Sequence, residues 1–281
     1  MSLPLDPTPL DPMPLDDLSG ASLLAVFAHP DDESLACGGL LARCTQSGIR
    51  VSLLCLTHGE HGPGQDGKPG GHEGQRLRDT RAGELGDAAR ILGIRDIVLL
   101  NHEDGMLPWI DHAQLEADIL DAISRFQPHV VVTFDEDGLY WHPDHIAVHE
   151  RTTAAVAQLG AAGPALRYVS MPAGRMRAIV DAASNDPEQA DPRPRLILGV
   201  ADADAFGSMA PAPTLVMEAG EFAGRKLAAL QCHRTQFEGS ALEYVSAQDA
   251  AALLGTEHYR RAEVGSRDDV FIERFGTPIN G

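Results

Sequence analysis

The chain has 281 residues, 43% of them hydrophobic, enough for one large α/β domain or for a domain with an appended subdomain. Its 22 basic and 41 acidic residues leave a formal charge of −19, which argues against any partner recognised through a phosphate backbone, so nucleic acid is not expected. No apolar stretch approaches the roughly 20 residues that span a bilayer, and no basic-then-apolar leader opens the chain; the expectation is an acidic cytoplasmic protein with no membrane partner.

Residues 1–17, MSLPLDPTPLDPMPLDD, carry a proline every two to four positions, which rules out a regular helix or a central strand. They read as a mobile or extended tail before a single domain over 18–281, with its core in 22–160 and a C-terminal portion in 161–281. SLLAVFA (22–28), RVSLLCLT (50–57), DIVLLN (96–101) and HVVVTF (129–134) are short apolar runs of the kind buried on both faces of a sheet. Helical periodicity over 34–47, 75–92 and 112–126 separates them. Beyond about residue 160 the pattern weakens: 166–170, 195–200 and 213–218 read as strands, 221–233 as a helix and 181–193 as an exposed loop. GTEHYRRAEV (255–264) reads as a strand or as a contact with another subunit. The fold class expected is therefore α/β, with a Rossmann-like, mostly parallel sheet flanked by helices and a smaller C-terminal portion adding strands and a helix.

In such sheets ligands bind beyond the carboxyl ends of the strands. AHPDDE (28–33) follows the first strand and DEDGLYWHPDH (135–145) the fourth, so the two richest clusters converge on one edge. Three consecutive carboxylates repel one another unless something positive sits among them. His29 and Asp32 lie three apart across a turn and can share one cation, while HPDH (142–145) supplies two further imidazoles and places Asp144 in the first turn of a helix. Two histidines and one carboxylate leave a coordination position open for water, the layout of a catalytic zinc site. Asp31 is then free to take a proton from that water as general base. Iron(II) accepts the same ligand set.

AHPDDE followed about 110 residues later by HPDH resembles the LmbE-like (PIG-L) zinc-dependent N-deacetylases, and LRDTRAGELGDAARILG (77–93) and KLAALQCHRTQ (226–236) extend the resemblance over roughly 22–237. The resemblance implies removal of an acetyl group from an N-acetylglucosamine-type conjugate, as in the bacillithiol and mycothiol pathways, with one zinc ion per chain. It implies His29, Asp32 and His145 as metal ligands and Asp31 as base. His142 would stabilise the tetrahedral intermediate or protonate the leaving amine, with Asp144 orienting it, and Tyr140 would assist at the oxyanion. Arg81 would hold sugar hydroxyls. The partner implied is a small amino-sugar; whether the chain forms a homo-oligomer stays open. A thiol-conjugate amidase or a chitooligosaccharide deacetylase would use the same machinery, and a metal- or carbohydrate-binding protein without turnover is the reading from another class.

Other signals read as structural. Cys37, Cys44, Cys55 and Cys232 have no paired spacing and are expected as buried free thiols. Glu33 reads as a helix cap or a brace, and His149 as a packing or supporting residue, since HPDHI lacks the glutamate of an HExxH helix. His233 has a place near the site or at the surface. GPGQDGK (62–68) imitates a phosphate loop but continues with proline where Ser or Thr is required, and DEDG (135–138) lacks the third acid before the glycine and the flanking helices of a calcium loop. The glycine-rich 58–74 reads as a flexible loop or a lid, with His58, His61 and His72 solvated.

Overall fold

The chain is described by a computed structural model over residues 18–62, 72–184, 196–209, 211–268 and 271–279. The proline-rich 1–17 and most of the glycine-rich segment lie outside the described residues.

The apolar runs become β1 (Ser22–Phe27), β2 (Arg50–Thr57), β3 (Asp96–His102), β4 (Val130–Phe134) and β5 (Ala165–Ser170). Every residue of β1, β4 and β5 is buried, including Arg167 of β5, which pairs with Glu273, whereas the edge strand β3 is only partly covered. These five pair in parallel. Antiparallel β6 (Leu215–Glu218), β7 (Thr256–Gly265) and β8 (Thr277–Pro278) extend the same sheet, in the order β3-β2-β1-β4-β5-β7-β6-β8. The C-terminal portion thus adds strands to one sheet, and GTEHYRRAEV is an interior strand of it.

Helices α1 (Asp32–Gln46), α2 (His72–Leu92), α3 (His112–Phe126), the single turn α4 (Gly138–Trp141), α5 (Pro143–Leu159), α6 (Arg175–Ser184) and α7 (Ala223–Cys232) connect and cover the strands. Strand order reverses between β1 and β4, which lie side by side. At that switch point the chain leaves adjacent strands toward different neighbours and opens a crevice at their carboxyl ends. AHPDDE and HPDH both fall in it.

Two expectations fail here. RLILGV (195–200) is not a strand: Ile197 and Val200 instead close a tight turn, because Leu198 and Gly199 both have positive φ. Of the loop expected at 181–193, residues 181–184 complete α6, where Ala183 packs into the core; the remainder lies outside the described residues. The four cysteines are free; Cys37, Cys44 and Cys55 are buried and Cys232 is half-buried.

One tertiary lock sets the position of α1. The helix breaks at Cys37 (φ −144°, ψ 24°), and the carboxylate of Glu257, from β7, accepts the backbone N–H groups of Gly39 and Leu40 at 2.8 and 2.9 Å. Lys226 and the Tyr259 hydroxyl donate to the same carboxylate at 2.6 and 2.7 Å. Removing one partner of a buried, hydrogen-bonded ion pair leaves the other charge unpaired. Glu257→Ala should therefore lower the free energy of unfolding by about 3–5 kcal/mol, read from the shift of the urea midpoint.

Candidate active site

The segment leaving β1 begins with His29 and Pro30. Asp31 then takes φ +119°, a region that favours glycine, and turns the chain sharply into α1. Carboxylates hold this turn. Asp32 Oδ2 accepts the His29 backbone N–H at 2.8 Å, and Glu33 Oε2 accepts that of Asp31 at 3.1 Å. Glu33 Oε1 also accepts the Ser34 hydroxyl at 2.6 Å and meets His233 Nε2 at 2.8 Å, with both side chains buried. Burial opposes both charges, but the pairing prevails: Glu33 is held below its usual range and His233 above. His233 is therefore an interior support of the Asp31 turn, and Glu33 is its brace.

A second unusual turn follows β4. Gly138 has φ +54°, and a Cβ there would lie 2.8 Å from that of His145, so a side chain would force the two apart. Leu139 and Trp141 both have φ +67°. His142 then caps α5, its Nδ1 accepting the Asp144 backbone N–H at 3.2 Å, which places the proton of the neutral ring on Nε2. His145 stacks on Phe134 with ring centroids 4.0 Å apart, and its Nδ1 faces the Gly138 carbonyl at 3.0 Å. Burial drives His145 down to about 3, so the ring is neutral. Burial, followed by the neighbouring His29, likewise lowers His142.

The two turns bring three donor groups together. His29 Nδ1 is 3.1 Å from His145 Nε2 and 3.5 Å from Asp32 Oδ2, and His145 Nε2 is 3.2 Å from Asp32 Oδ1. His145 gives its Nδ1–H to Gly138, so Nε2 turns a bare lone pair toward the Asp32 carboxylate. Asp32 is held low, to about 2, burial being outweighed by His145 and His29. Two acceptors at that separation need positive charge beside them, which a protonated His29, its Nδ1 3.1 Å from His145 Nε2, or a bound cation supplies. A tetrahedral ion with bonds of about 2.05 Å spaces its ligand atoms about 3.4 Å apart. The three donors fit a single divalent ion.

His29 is aimed by its other nitrogen. Nε2 lies 3.0 Å from Asp104 Oδ1 and 3.2 Å from Asp144 Oδ2. Burial disfavours the imidazolium, yet Asp104, Asp144 and Asp32 outweigh it and raise His29 well above its usual pKa. The carboxylates hold the Nε2 proton, so a cation binding at the shared centre would displace only the Nδ1 proton, giving the usual arrangement of a metal-ligating histidine backed by a carboxylate. Asp144 is fixed by the backbone N–H groups of Gly105 and Leu107 at 2.8 and 3.1 Å. Its carboxylate therefore faces His29, and its backbone N–H meets His142. Asp104 escaped the sequence reading altogether. Its one signal is position, since HEDG (102–105) closes the third strand at the edge where the other two clusters lie.

Arg81 is also placed differently. Its Nη2 donates to the Pro30 carbonyl at 2.5 Å and to Asp31 Oδ2 at 3.2 Å, and its Nη1 to the Gly59 carbonyl at 2.8 Å. The terminal nitrogens expected on sugar hydroxyls are engaged in clamping two loops and the Asp31 carboxylate. Burial pushes Asp31 up to about 7 against the pull of Arg81. The Tyr140 ring sits 5.2 Å from His145 and 4.7 Å from Phe206, its hydroxyl pKa raised by burial. Among the described residues, His29, Asp31, Asp32, Arg81, Tyr140 and His142 line one cavity, which Ile197, Leu198, Val200 and Phe206 also line.

His149, His58, His61 and Asp135 have structural partners. His149 Nδ1 meets the Phe134 carbonyl at 2.9 Å while the ring packs on Tyr168. His58 contacts Asn101, and the His61 backbone N–H donates to Asp104 at 2.8 Å, so these two are tethered to β3 and the loop after it. Asp135, at the head of DEDG, is paired with Arg260.

A Rossmann-like sheet thus carries a buried His, Asp and His at its switch point, beside a carboxylate outside that set. Residues 24–156 match the PIG-L family, described as GlcNAc-PI de-N-acetylase. The 1D-myo-inositol 2-acetamido-2-deoxy-alpha-D-glucopyranoside deacetylase 2 of Catenulispora acidiphila is 31% identical over 85% of this chain and 87% of its own. The chain belongs to the PIG-L family of de-N-acetylases, which are amide hydrolases. Among solved structures, the N,N'-diacetylchitobiose deacetylase of Pyrococcus horikoshii superposes with a TM-score of 0.61 at 19% identity, covering 86% of this chain and 83% of its own. The 4-carboxy-2-hydroxymuconate hydratase GalB of Pseudomonas putida does so with 0.59 at 19% identity, covering 86% and 96%. The same fold is thus found in a hydratase, so the reaction is decided by the site.

The Arg81 clamp has a measurable consequence. Arg81→Ala strands two backbone carbonyls and the Asp31 carboxylate, and should lower unfolding free energy by about 2–4 kcal/mol in a urea titration. Arg81→Lys should recover only part of this, because one ammonium cannot reach three acceptors in the planar fork of a guanidinium.

Proposed function

We propose that the protein hydrolyses the acetamide of an N-acetylglucosamine-type conjugate, releasing acetate and the free amine. The observation that carries this reading is the meeting of His29 Nδ1, Asp32 and the unprotonated Nε2 of His145 within 3.5 Å of one another, beside an Asp31 that the set does not use. The relatives supply the conjugate: the Catenulispora enzyme is named for a glucosaminide of 1D-myo-inositol, which favours a mycothiol-type substrate over a bacillithiol-type one.

A divalent ion held by these three residues, zinc by the match to its preferred nitrogen and oxygen donors, supplies a polarised carbonyl and an acidified water. The protein's own groups do the rest. Asp31, fixed by Arg81 and by the Glu33 brace on its backbone N–H, accepts the proton of the attacking water. His142 offers a fixed Nε2–H into the cavity, because its Nδ1 is occupied as an acceptor. That donor stabilises charge on the carbonyl oxygen, and the proton that Asp31 took from the water is the one passed to the departing amine. Tyr140 reaches the same space from beside His142 and His145. Asp104 and Asp144 act through His29, keeping its proton on the nitrogen away from the centre. Retention of Asp31 and His142 in the cavity supports turnover over simple binding, since binding needs neither.

Three results are expected when zinc-loaded protein is incubated with an N-acetylglucosaminyl-inositol conjugate and free amine is assayed. Wild type releases amine, and no release from this or any other N-acetylglucosaminide would refute the reading. Asp31→Asn keeps its metal but loses at least about a thousandfold in kcat. His145→Ala comes off a desalting column without metal; full occupancy by elemental analysis would remove His145 from the ligand set.

A further inference from the structure

One part of the cavity wall is built against local backbone preference. Ile197 N–H donates to the Val200 carbonyl at 2.9 Å and Val200 N–H to the Ile197 carbonyl at 2.8 Å, so Leu198 and Gly199 are the central pair of a two-residue hairpin. Their φ values are +45° and +87°. Positive φ at both central positions is the pattern of a type I′ turn, whose first central residue is ordinarily Asn, Asp or Gly. A leucine there crowds its own backbone. The turn is nevertheless held firmly. Leu198 N–H donates to Ser240 Oγ at 3.3 Å, and the Leu196 carbonyl accepts the Ala241 N–H at 2.7 Å and the Ser240 hydroxyl at 3.2 Å.

The strained side chain is only partly buried, and it lines the cavity that contains Asp31 and His142. Strain maintained by surrounding hydrogen bonds at a ligand cavity points to a role in what the cavity holds. The lining has two chemistries. Asp31, His142 and Gln236 offer charge and hydrogen bonds; Ile197, Leu198, Val200 and Phe206 offer only hydrocarbon. A pyranose ring has the same duality, with hydroxyls and amide on its rim and C–H groups on its faces.

We propose that Leu198 is a specificity-determining residue that packs against the C–H face of the amino-sugar ring while the acetamide faces Asp31 and His142. This rests on the deacetylase reading above. It makes the 197–200 turn a plate that selects a ring, whatever acyl group that ring carries.

Leu198→Gly and Leu198→Asn test it, because both residues suit a positive φ and keep the turn. Their melting temperature should equal or exceed that of wild type. KM for the N-acetylglucosaminyl-inositol conjugate should rise about tenfold, the loss of part of a leucine's apolar contact, with kcat within about twofold. An unchanged KM in a normally folded variant overturns the proposal. So does a variant whose preference between N-acetyl and N-butyryl amides of the same sugar changes, because the side chain would then contact the acyl group. Calorimetric titration of the conjugate into Asp31→Asn protein, with and without Leu198→Gly, reads the contact without turnover. An about tenfold weaker Kd supports the plate and an equal Kd overturns it, even if wild type releases no amine and the deacetylase reading itself has failed.

Discussion

Everything at this site depends on an electrostatic debt: the ionised Asp32 carboxylate faces the lone pair of His145 Nε2 across 3.2 Å. These two atoms share no proton of their own, and the positive charge of His29, 3.1 Å from Nε2, stands between them until a dication takes its place. The His145 proton is committed to the Gly138 carbonyl, and burial keeps the ring from taking a second one. The surroundings sustain the conflict. Phe134 stacks on the imidazole, and the backbone N–H of His29 holds the carboxylate. A rigid, dry arrangement of like-natured donors is how a protein prepares for a dication instead of collapsing into its own hydrogen bonds.

Strain and bracing share the work. Positive φ at Asp31, Leu139 and Trp141 lets the two turns approach each other, at a local cost that only a well-supported structure can carry. The support is visible at Asp31. Glu33 and His233 hold its backbone from within, and Arg81 holds its carboxylate and the preceding carbonyl from the side. The three acidic residues of AHPDDE therefore have three separate duties: Asp31 lies in the cavity, Asp32 belongs to the donor set, and Glu33 props up the turn that separates them.

The sequence could be read furthest where one rule acts alone. Mostly apolar runs marked β1, β2, β3 and β4, and alternation with helices implied a parallel sheet whose carboxyl edge would gather AHPDDE and HPDH. Reading failed where tertiary partners decide. RLILGV has strand composition, but its backbone follows hydrogen bonds to Ser240 and Ala241, more than forty positions away. Arg81 looked available for a ligand because its acceptors, the carbonyls of Pro30 and Gly59, are backbone groups that no motif displays. Asp144 and Asp104 illustrate the same limit. Which nitrogen of which imidazole a carboxylate reaches is settled by loop geometry, and single-letter spacing carries none of it.

The Glu257 lock has a consequence for how the chain is made. The ribosome delivers the first histidine and aspartate of the donor set early, yet two amides of the helix that bears Asp32 wait for a carboxylate 217–218 residues downstream. A nascent chain can assemble β1 to β5 and still lack the tie that seats this helix. Maturation of the centre is therefore coupled to synthesis of β7, and a product released short of that strand would hold every member of the donor set in a scaffold not yet closed.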